Sequence, residues 1–318
     1  MKIIAQKPMR LDVCIQKHLQ TPRNQVEQLI KNHGVTVNDK KVFKTGLKLK
    51  GGETIIIELP TLQTEVPKEI DFDIEIIYED DDLLIVNKPP HLVVHPAPSV
   101  KEPTLVDWLK HKGISLSTLS GEERHGIVHR IDKETSGALV VAKNNEAHLA
   151  LSRQLEDKSM GRYYLAIIDR PLKENVIIER AIARHPTKRT KMALSDSGRE
   201  AKSAFLKLAL SNASTHELIA AKLFTGRTHQ IRVHLESLSR HILNDSTYGY
   251  KTKKDKISRV MLHAYLIYFI HPKSGKLIIK EAPFFEDFKG ILTKQFNMET
   301  IDEKTDSDTI INSFTTYF

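Results

Sequence analysis

The stretch RHGIVHRIDKETSGALVVAK, Arg124–Lys143, decides the reading of this chain. It closes on ALVVA, Ala138–Ala142, an uninterrupted apolar run that reads as a buried strand. Thr135-Ser136-Gly137, just before it, can supply a turn that aims a side chain out of the sheet edge. Ahead of that turn stands Asp132, between Arg130 and Lys133. Desolvation in a partly buried cleft drives a carboxylate towards its neutral form, so an ionised Asp132 needs a cation or several hydrogen bonds. Arg124, Arg130 and Lys133 are local candidates, and GRTHQIRVH offers Arg227 and Arg232 from a distance. The chemistry suggested is an anionic nucleophile or base kept charged by arginine. Spacing alone favours a simpler alternative, a salt-bridged loop aspartate, and both stay open at this level.

Outward from that stretch, 318 residues suggest two domains, and a 40% hydrophobic content supplies a sizeable core. The single cysteine, Cys14, excludes an intrachain disulfide and a cysteine-only metal cage, and reads as a small apolar residue on a helix face. MKIIAQKPMR lacks a signal-peptide core and no apolar run is long enough to span a bilayer, so a soluble cytoplasmic protein is expected. The formal net charge is +8, of which residues 1–60 carry +6. Basic excess concentrated on one small module points to a polyanion such as nucleic acid.

That module, 1–60, reads as two short helices, RLDVCIQKHL and RNQVEQLIKN, then a strand VTV, a turn at Asn38-Asp39 and a strand ETIIIEL. Gly34 fits a helix C-terminal cap. Residues 61–70 are polar, contain Pro67 and read as a linker. In 71–292, DIEIIYED, DDLLIVNKP, GRYYLAIID, KSAFLKLAL, HELIAAKLF and HAYLIYFIHP read as strands, while TLVDWLKHK and NNEAHLALSRQLED read as helices. Strands outnumber helices and short connections join several of them, which predicts an α+β fold with a mixed, largely antiparallel sheet. Residues 293–318 are acidic and polar and are expected to form a mobile tail.

Longer motifs carry two resemblances. Arg10-Leu11-Asp12, Arg23 and GVTVND with GGETI resemble the S-four-type (alpha-L) RNA-binding module. That likeness implies that Arg10, Arg23 and Lys31 grip RNA phosphates, contacts that position without reading sequence. RHGIVHRIDKETSGALVVAK resembles the signature of the RluA-type pseudouridine synthases. EDDDLLIVNKPPHLVVHP, RYYLAI, LFTGRTHQIRVH with NDSTYG, and MLHAYLIYFIHPKSG match further family segments in order. The resemblance implies a central cleft in which the uracil–ribose C–N bond is broken, the base turns, and a C–C bond is made to the same sugar. No net oxidation occurs, so no cofactor and no metal are expected. It implies Asp132 as the catalytic carboxylate, Arg232 as its ion-pair partner and Tyr164, rather than Tyr163, as the face that stacks on a flipped uracil. Arg130 would enter the space left by the base, and Leu262 would wall the pocket. The implied partner is RNA, by analogy large-subunit ribosomal RNA, with a monomeric protein and no membrane. Departures from the family pattern are His125 for proline, His91 and Asn244 for glycines, Arg240-His241 for His-Pro, and Arg162 for lysine.

Two other functions fit parts of the sequence. A metal-dependent hydrolase would use His125 and His129, whose i, i+4 spacing joins ligands only on a helix. Gly126-Ile127-Val128 argues for extended chain instead. A non-catalytic RNA-binding or ribosome-assembly protein suits the basic module, and leaves Asp132 and Arg232 unexplained.

Overall fold

The computed structural model describes residues 2–19, 26–27, 29–31, 34–57, 69–97, 99–119, 124–250 and 257–318. It divides the chain into two units, 1–67 and 68–318. Arg23 and residues 61–68 of the expected linker lie outside the described residues.

The small unit contains β1 (Lys2–Ile4), β2 (Met9–Arg10), α1 (Leu11–Leu19), β3 (Val35–Val37), β4 (Lys40–Val42), β5 (Lys48–Leu49) and β6 (Thr54–Ile56). An antiparallel sheet of order β1-β6-β3-β4 forms one layer. Leu11, Cys14 and Ile15 from α1, with Val26 and Ile30 from the second helical stretch, join Val35, Ile55 and Ile57 in its core. Cys14 is thus the buried apolar residue its helical position predicts. Gly34, at φ +70°, donates its N–H to the Ile30 carbonyl and ends that second helix as a left-handed cap. Asn38 and Asp39 both hold positive φ, the requirement of a two-residue hairpin turn between β3 and β4.

The large unit opens with β7 (Glu75–Glu79), β8 (Leu83–Lys88), α2 (Leu105–His111), β9 (Ser136–Ala142), α3 (Asn145–Glu156) and β10 (Gly161–Ile168). It continues with β11 (Val176–Glu179), β12 (Ile182–Arg184), β13 (Met192–Leu194), β14 (Lys202–Leu210), β15 (Glu217–Leu223) and α4 (Gln230–Ser237). After these come β16 (Leu262–Ile270), β17 (Leu277–Glu281), α5 (Glu286–Gln295), α6 (Met298–Thr305) and α7 (Ser307–Tyr317). A nine-stranded sheet runs β11-β14-β15-β10-β16-β9-β8-β7, with β17 also on β16. Among the described residues its pairings are antiparallel except β9 with β16, which is the expected mixed, largely antiparallel sheet.

The run ALVVA is continuous because both faces of β9 are covered. Leu139 and Val141 join Leu84, Val86, Leu105 and Trp108 on one side, while Ala138, Val140 and Ala142 join Leu83, Ile85, Ala147 and Leu151 on the other. Strand β9 is interior, so the loop before it rises from the strand's end within the sheet, not from an edge strand. The sheet forks there. β9 occupies the flank of β16 only at His263–Ala264, and β17 takes it over from Leu266 to Ile270. Gly137, at φ +112°, sits in that crossing, where a Cβ would come within 2.2 Å of the Ala264 carbonyl oxygen. No other residue fits there.

The end of the chain corrects an expectation. Residues 293–318 complete α5 and form α6 and α7, with Phe296, Ile301, Ile310 and Phe314 in the core. The acidic residues that suggested a mobile tail occupy outer faces and caps. Asn297 accepts the Thr300 N–H and Asp306 the Thr309 N–H, satisfying donors that each helix start leaves open. Phe314 packs its ring 5.2 Å from that of Tyr163.

Candidate active site

Asp132 lies in the irregular chain before β9, and its backbone carbonyl accepts the Thr135 N–H at 3.1 Å. Ser136 anchors the start of the strand: its hydroxyl meets His263 Nδ1 at 2.8 Å, and His263 Nε2 meets the Ala282 carbonyl. A second anchor comes from β8. The fully buried Lys88 ammonium donates to the carbonyls of Pro89 (2.6 Å), Leu92 (2.9 Å) and Lys133 (3.2 Å), tying the NKPP turn to the residue after Asp132. His91, where the family pattern has glycine, takes a left-handed conformation, at φ +64°, and its Nδ1 lies 3.0 Å from Glu134. Both contacts brace the aspartate loop from outside.

Helix α4 supplies the cation. Arg232, 7% exposed, donates from Nε and Nη2 to the two oxygens of Asp245 at 2.7 and 2.9 Å. Its remaining nitrogen, Nη1, reaches Asp132 Oδ2 at 3.2 Å. Burial alone would lower the Arg232 pKa, but its hydrogen bonds and charge contacts with Asp245, and then Asp132, raise it above the ordinary value. The guanidinium lies 4.9 Å from the centre of the Tyr248 ring. Asp245, 1% exposed, follows Asn244, which holds φ +62° where the family pattern has glycine. Asparagine tolerates that region. Arg240 and His241 fix the same turn, Arg240 to the Pro171 carbonyl and His241 Nδ1 to Asp169 at 2.8 Å. Asn244, Arg240 and His241 thus hold the turn that leads to Asp245.

His229 precedes α4 in a left-handed conformation, φ +56°, with its Nε2 3.9 Å from Asp132 Oδ2. The Tyr248 hydroxyl accepts the Met192 N–H and meets His229 Nδ1 at 2.9 Å. Burial lowers the His229 pKa, against the opposing pull of the Asp132 carboxylate. Arg232 and His229 both stand at Oδ2 of the carboxylate.

Strand β10 supplies the aromatic face. A bulge in its pairing with β16 falls between Tyr163 and Tyr164, which pair with Leu266 and Ala264. Bulges re-aim side chains beside sites. The two tyrosines point to opposite faces. Tyr164 lines a pocket with Asp132, Arg130, Arg162, Arg232 and Leu262. Tyr163 packs against Tyr268 and Phe314. Burial pushes the Tyr164 hydroxyl up to about 12, so it is protonated at neutral pH. The five expected residues of this unit thus converge on one pocket.

The remaining expected residues belong to the small unit. Arg10 forks onto Asp12 at 3.0 and 2.9 Å, Lys31 is exposed, and Arg23 is outside the described residues. The hydrolase alternative fails on geometry. The chain turns at Gly126 and bridges Val141 at Ile127, so His125 and His129 are not one helical turn apart. His129 Nε2 accepts the Val140 N–H inside the fold. Sequence reasoning missed Asp245, His229 and Tyr248. Asp245 and Tyr248 stood in the motif NDSTYG, but a motif does not show which side chain clamps which arginine.

Residues 82–237 match the family model described as RNA pseudouridylate synthase, and residues 9–55 match the S4 domain. Over 314 residues the chain is 49% identical to a protein of Helicobacter pylori (strain J99) described as an uncharacterized RNA pseudouridine synthase, covering 96% of this chain and 95% of that one. It is 35% identical to the ribosomal large subunit pseudouridine synthase D of Nitrosomonas europaea, over 89% of this chain and 83% of the relative. The structure of human RNA pseudouridylate synthase domain containing 1 aligns with 67% of this chain and 84% of its own, at a TM-score of 0.54 and 26% identity.

Proposed function

This chain belongs to the RNA pseudouridylate synthase family, and from that premise we propose that the Asp132 pocket isomerises uridines of large-subunit ribosomal RNA. The target follows from the name borne by relatives such as the Nitrosomonas europaea synthase. A base inside a duplex cannot reach a pocket walled by Tyr164 and Leu262, so the uridine enters flipped out of its stack. Asp132 is the catalytic carboxylate, Arg232 holds it ionised, and Tyr164 gives the flipped base a stacking face. Arg130, exposed at the pocket mouth, takes the side of the vacated helix. The S4 segment, with Arg10, Arg23 and Lys31, holds RNA phosphates. The reaction requires no cofactor, because it exchanges one bond to C1′ for another without net oxidation. Work on ribosomal RNA places the protein in the cytoplasm; no helix among the described residues is long and apolar enough to cross a membrane.

One observation carries this reading. Asp132 presents a carboxylate with one oxygen held by a locked guanidinium, in a pocket that Tyr164 also lines. Asn at position 132 keeps the shape and loses the anion. RNA transcripts carrying tritium at uridine C5 release it when C5 bonds to the sugar. The Asp132→Asn protein is expected to bind the transcript and release none, and appreciable release by it refutes the assignment. Mapping pseudouridines in ribosomal RNA from cells with and without the protein identifies the uridines.

A further inference from the structure

Arg162 is a buried cation for which the fold provides no counter-charge. It is 8% exposed on β10, two residues before Tyr164 and on the same face, and lines the pocket. Among the described residues it makes no hydrogen bond or ion pair, and its Nε is enclosed without an acceptor. Desolvation is the largest influence on it and lowers its pKa. An unpaired buried charge opposes folding, and folding alone gives no reason to keep one here. Gly226, on the pocket wall, makes room for it: a Cβ there would lie 3.0 Å from Nη1. Arg232 already serves Asp132, so Arg162 is free for something that arrives with the substrate.

Resting on the reading of this pocket as a uridine site, we infer that Arg162 is the charge partner of the uracil ring after the ring leaves the sugar. When the C1′–N1 bond breaks, both electrons stay with the base, which departs as an anion spread over N1 and the carbonyl oxygens. At C1′ the bond is replaced by one to Asp132, or C2′ gives Asp132 a proton; either way Asp132 becomes neutral as the ring becomes negative. The ring turns against Tyr164 under the guanidinium, and C5 then bonds to C1′. The C5 proton is lost, N1 regains one, and Asp132 returns to its anionic form. A guanidinium beside the ring, in a site sheltered from water, stabilises charge that exists only during the reaction.

Single-turnover rates on a large-subunit ribosomal RNA transcript test this. Arg162→Met is expected to slow the wild-type reaction on the order of 10²–10³-fold, with RNA affinity unchanged and a melting temperature equal or higher. Arg162→Lys should recover most of the rate. In transcripts containing 5-fluorouridine, followed by loss of the starting nucleoside, the Met deficit should shrink, because 5-fluorouracil leaves as the weaker base. Gly226→Ala keeps the charge, displaces it, and should slow the reaction at an unchanged melting temperature, so a poorly folded Met variant does not shelter the idea. A wild-type rate in Arg162→Met or Gly226→Ala, or an equal deficit for both nucleosides, overturns it. Absence of pseudouridine from the wild-type reaction refutes the function proposed above instead.

Discussion

Replacing Asp245 by Asn tests whether the pocket depends on a locked arginine. In the wild type Asp245 takes two of the three hydrogen bonds Arg232 makes to carboxylates, at 2.7 and 2.9 Å, while 1% exposed. Asn keeps one acceptor oxygen, turns an NH2 group against the other donor and removes the charge. Deleting one partner of a buried ion pair costs about 3–5 kcal/mol. Asp132 still faces the guanidinium, and one charged hydrogen bond recovers about 1.5–3 kcal/mol. A net loss of about 1.5–2 kcal/mol remains, which lowers the melting temperature of a 150–250-residue domain by roughly 3–8 °C. The released guanidinium turns onto Asp132 and engages both of its oxygens, a displacement that reduces the single-turnover rate about 10²-fold. Thermal unfolding and tritium release, measured on the same preparations, give both numbers. Adding Arg232→Met to Asp245→Asn should cost little beyond Arg232→Met alone, because the two residues act as a unit. A variant that melts with the wild type and turns over at its rate refutes the lock.

Other expectations concern the aromatic wall and the basic unit. Tyr164→Phe should keep the stacking face and lose only the hydroxyl, whereas Tyr164→Ala should lose both, with stacking worth about 1–3 kcal/mol. An inactive Tyr163→Ala that keeps wild-type stability, beside a normal Tyr164→Ala, would reverse the assignment of the two faces. Deleting residues 1–60, which carry +6 of the +8 net charge, should weaken RNA binding, lower its log–log salt slope by roughly 0.7–0.9 per lost phosphate contact, and spare the chemical step at saturating enzyme. An unchanged slope, or chemistry lost from a folded truncation, contradicts that division of labour.

Elements with a strong local signal were legible in the sequence. The apolar run of β9, the asparagine cap of α3 and the glycine cap at Gly34 follow from composition and spacing, and the structure has them. Alternation along β10 also separates Tyr163 from Tyr164 once one face is known to be the pocket. Helix α4 was not visible: QIRVHLES begins after a left-handed His229 with no side-chain cap, and its polar residues face inward to Asp245, Ser203 and Lys202. Helices α6 and α7 were obscured by their acidic outer faces, although Asn297 and Asp306 stood at cap positions and Ile310 and Phe314 four apart. Arg162 was seen only as a departure from lysine. A missing counter-ion is a property of space, not of sequence.

The guanidinium of Arg232, shared between two carboxylates, also fixes the arithmetic of charge during turnover. At rest Asp132 and Asp245 share Arg232 while Arg162 stands unpaired in the same pocket, and these four charges sum to zero. When Asp132 is neutralised, by ester formation or by a proton, the pair Arg232–Asp245 remains balanced on its own. On the inference above, the negative unit has then moved onto the uracil ring, beside Arg162, and the sum is still zero. The reaction so proposed is an internal transfer of one charge between two fixed cations. Such a site has no need to draw ions or protons from bulk solvent midway, and its intermediate can survive long enough for the base to turn.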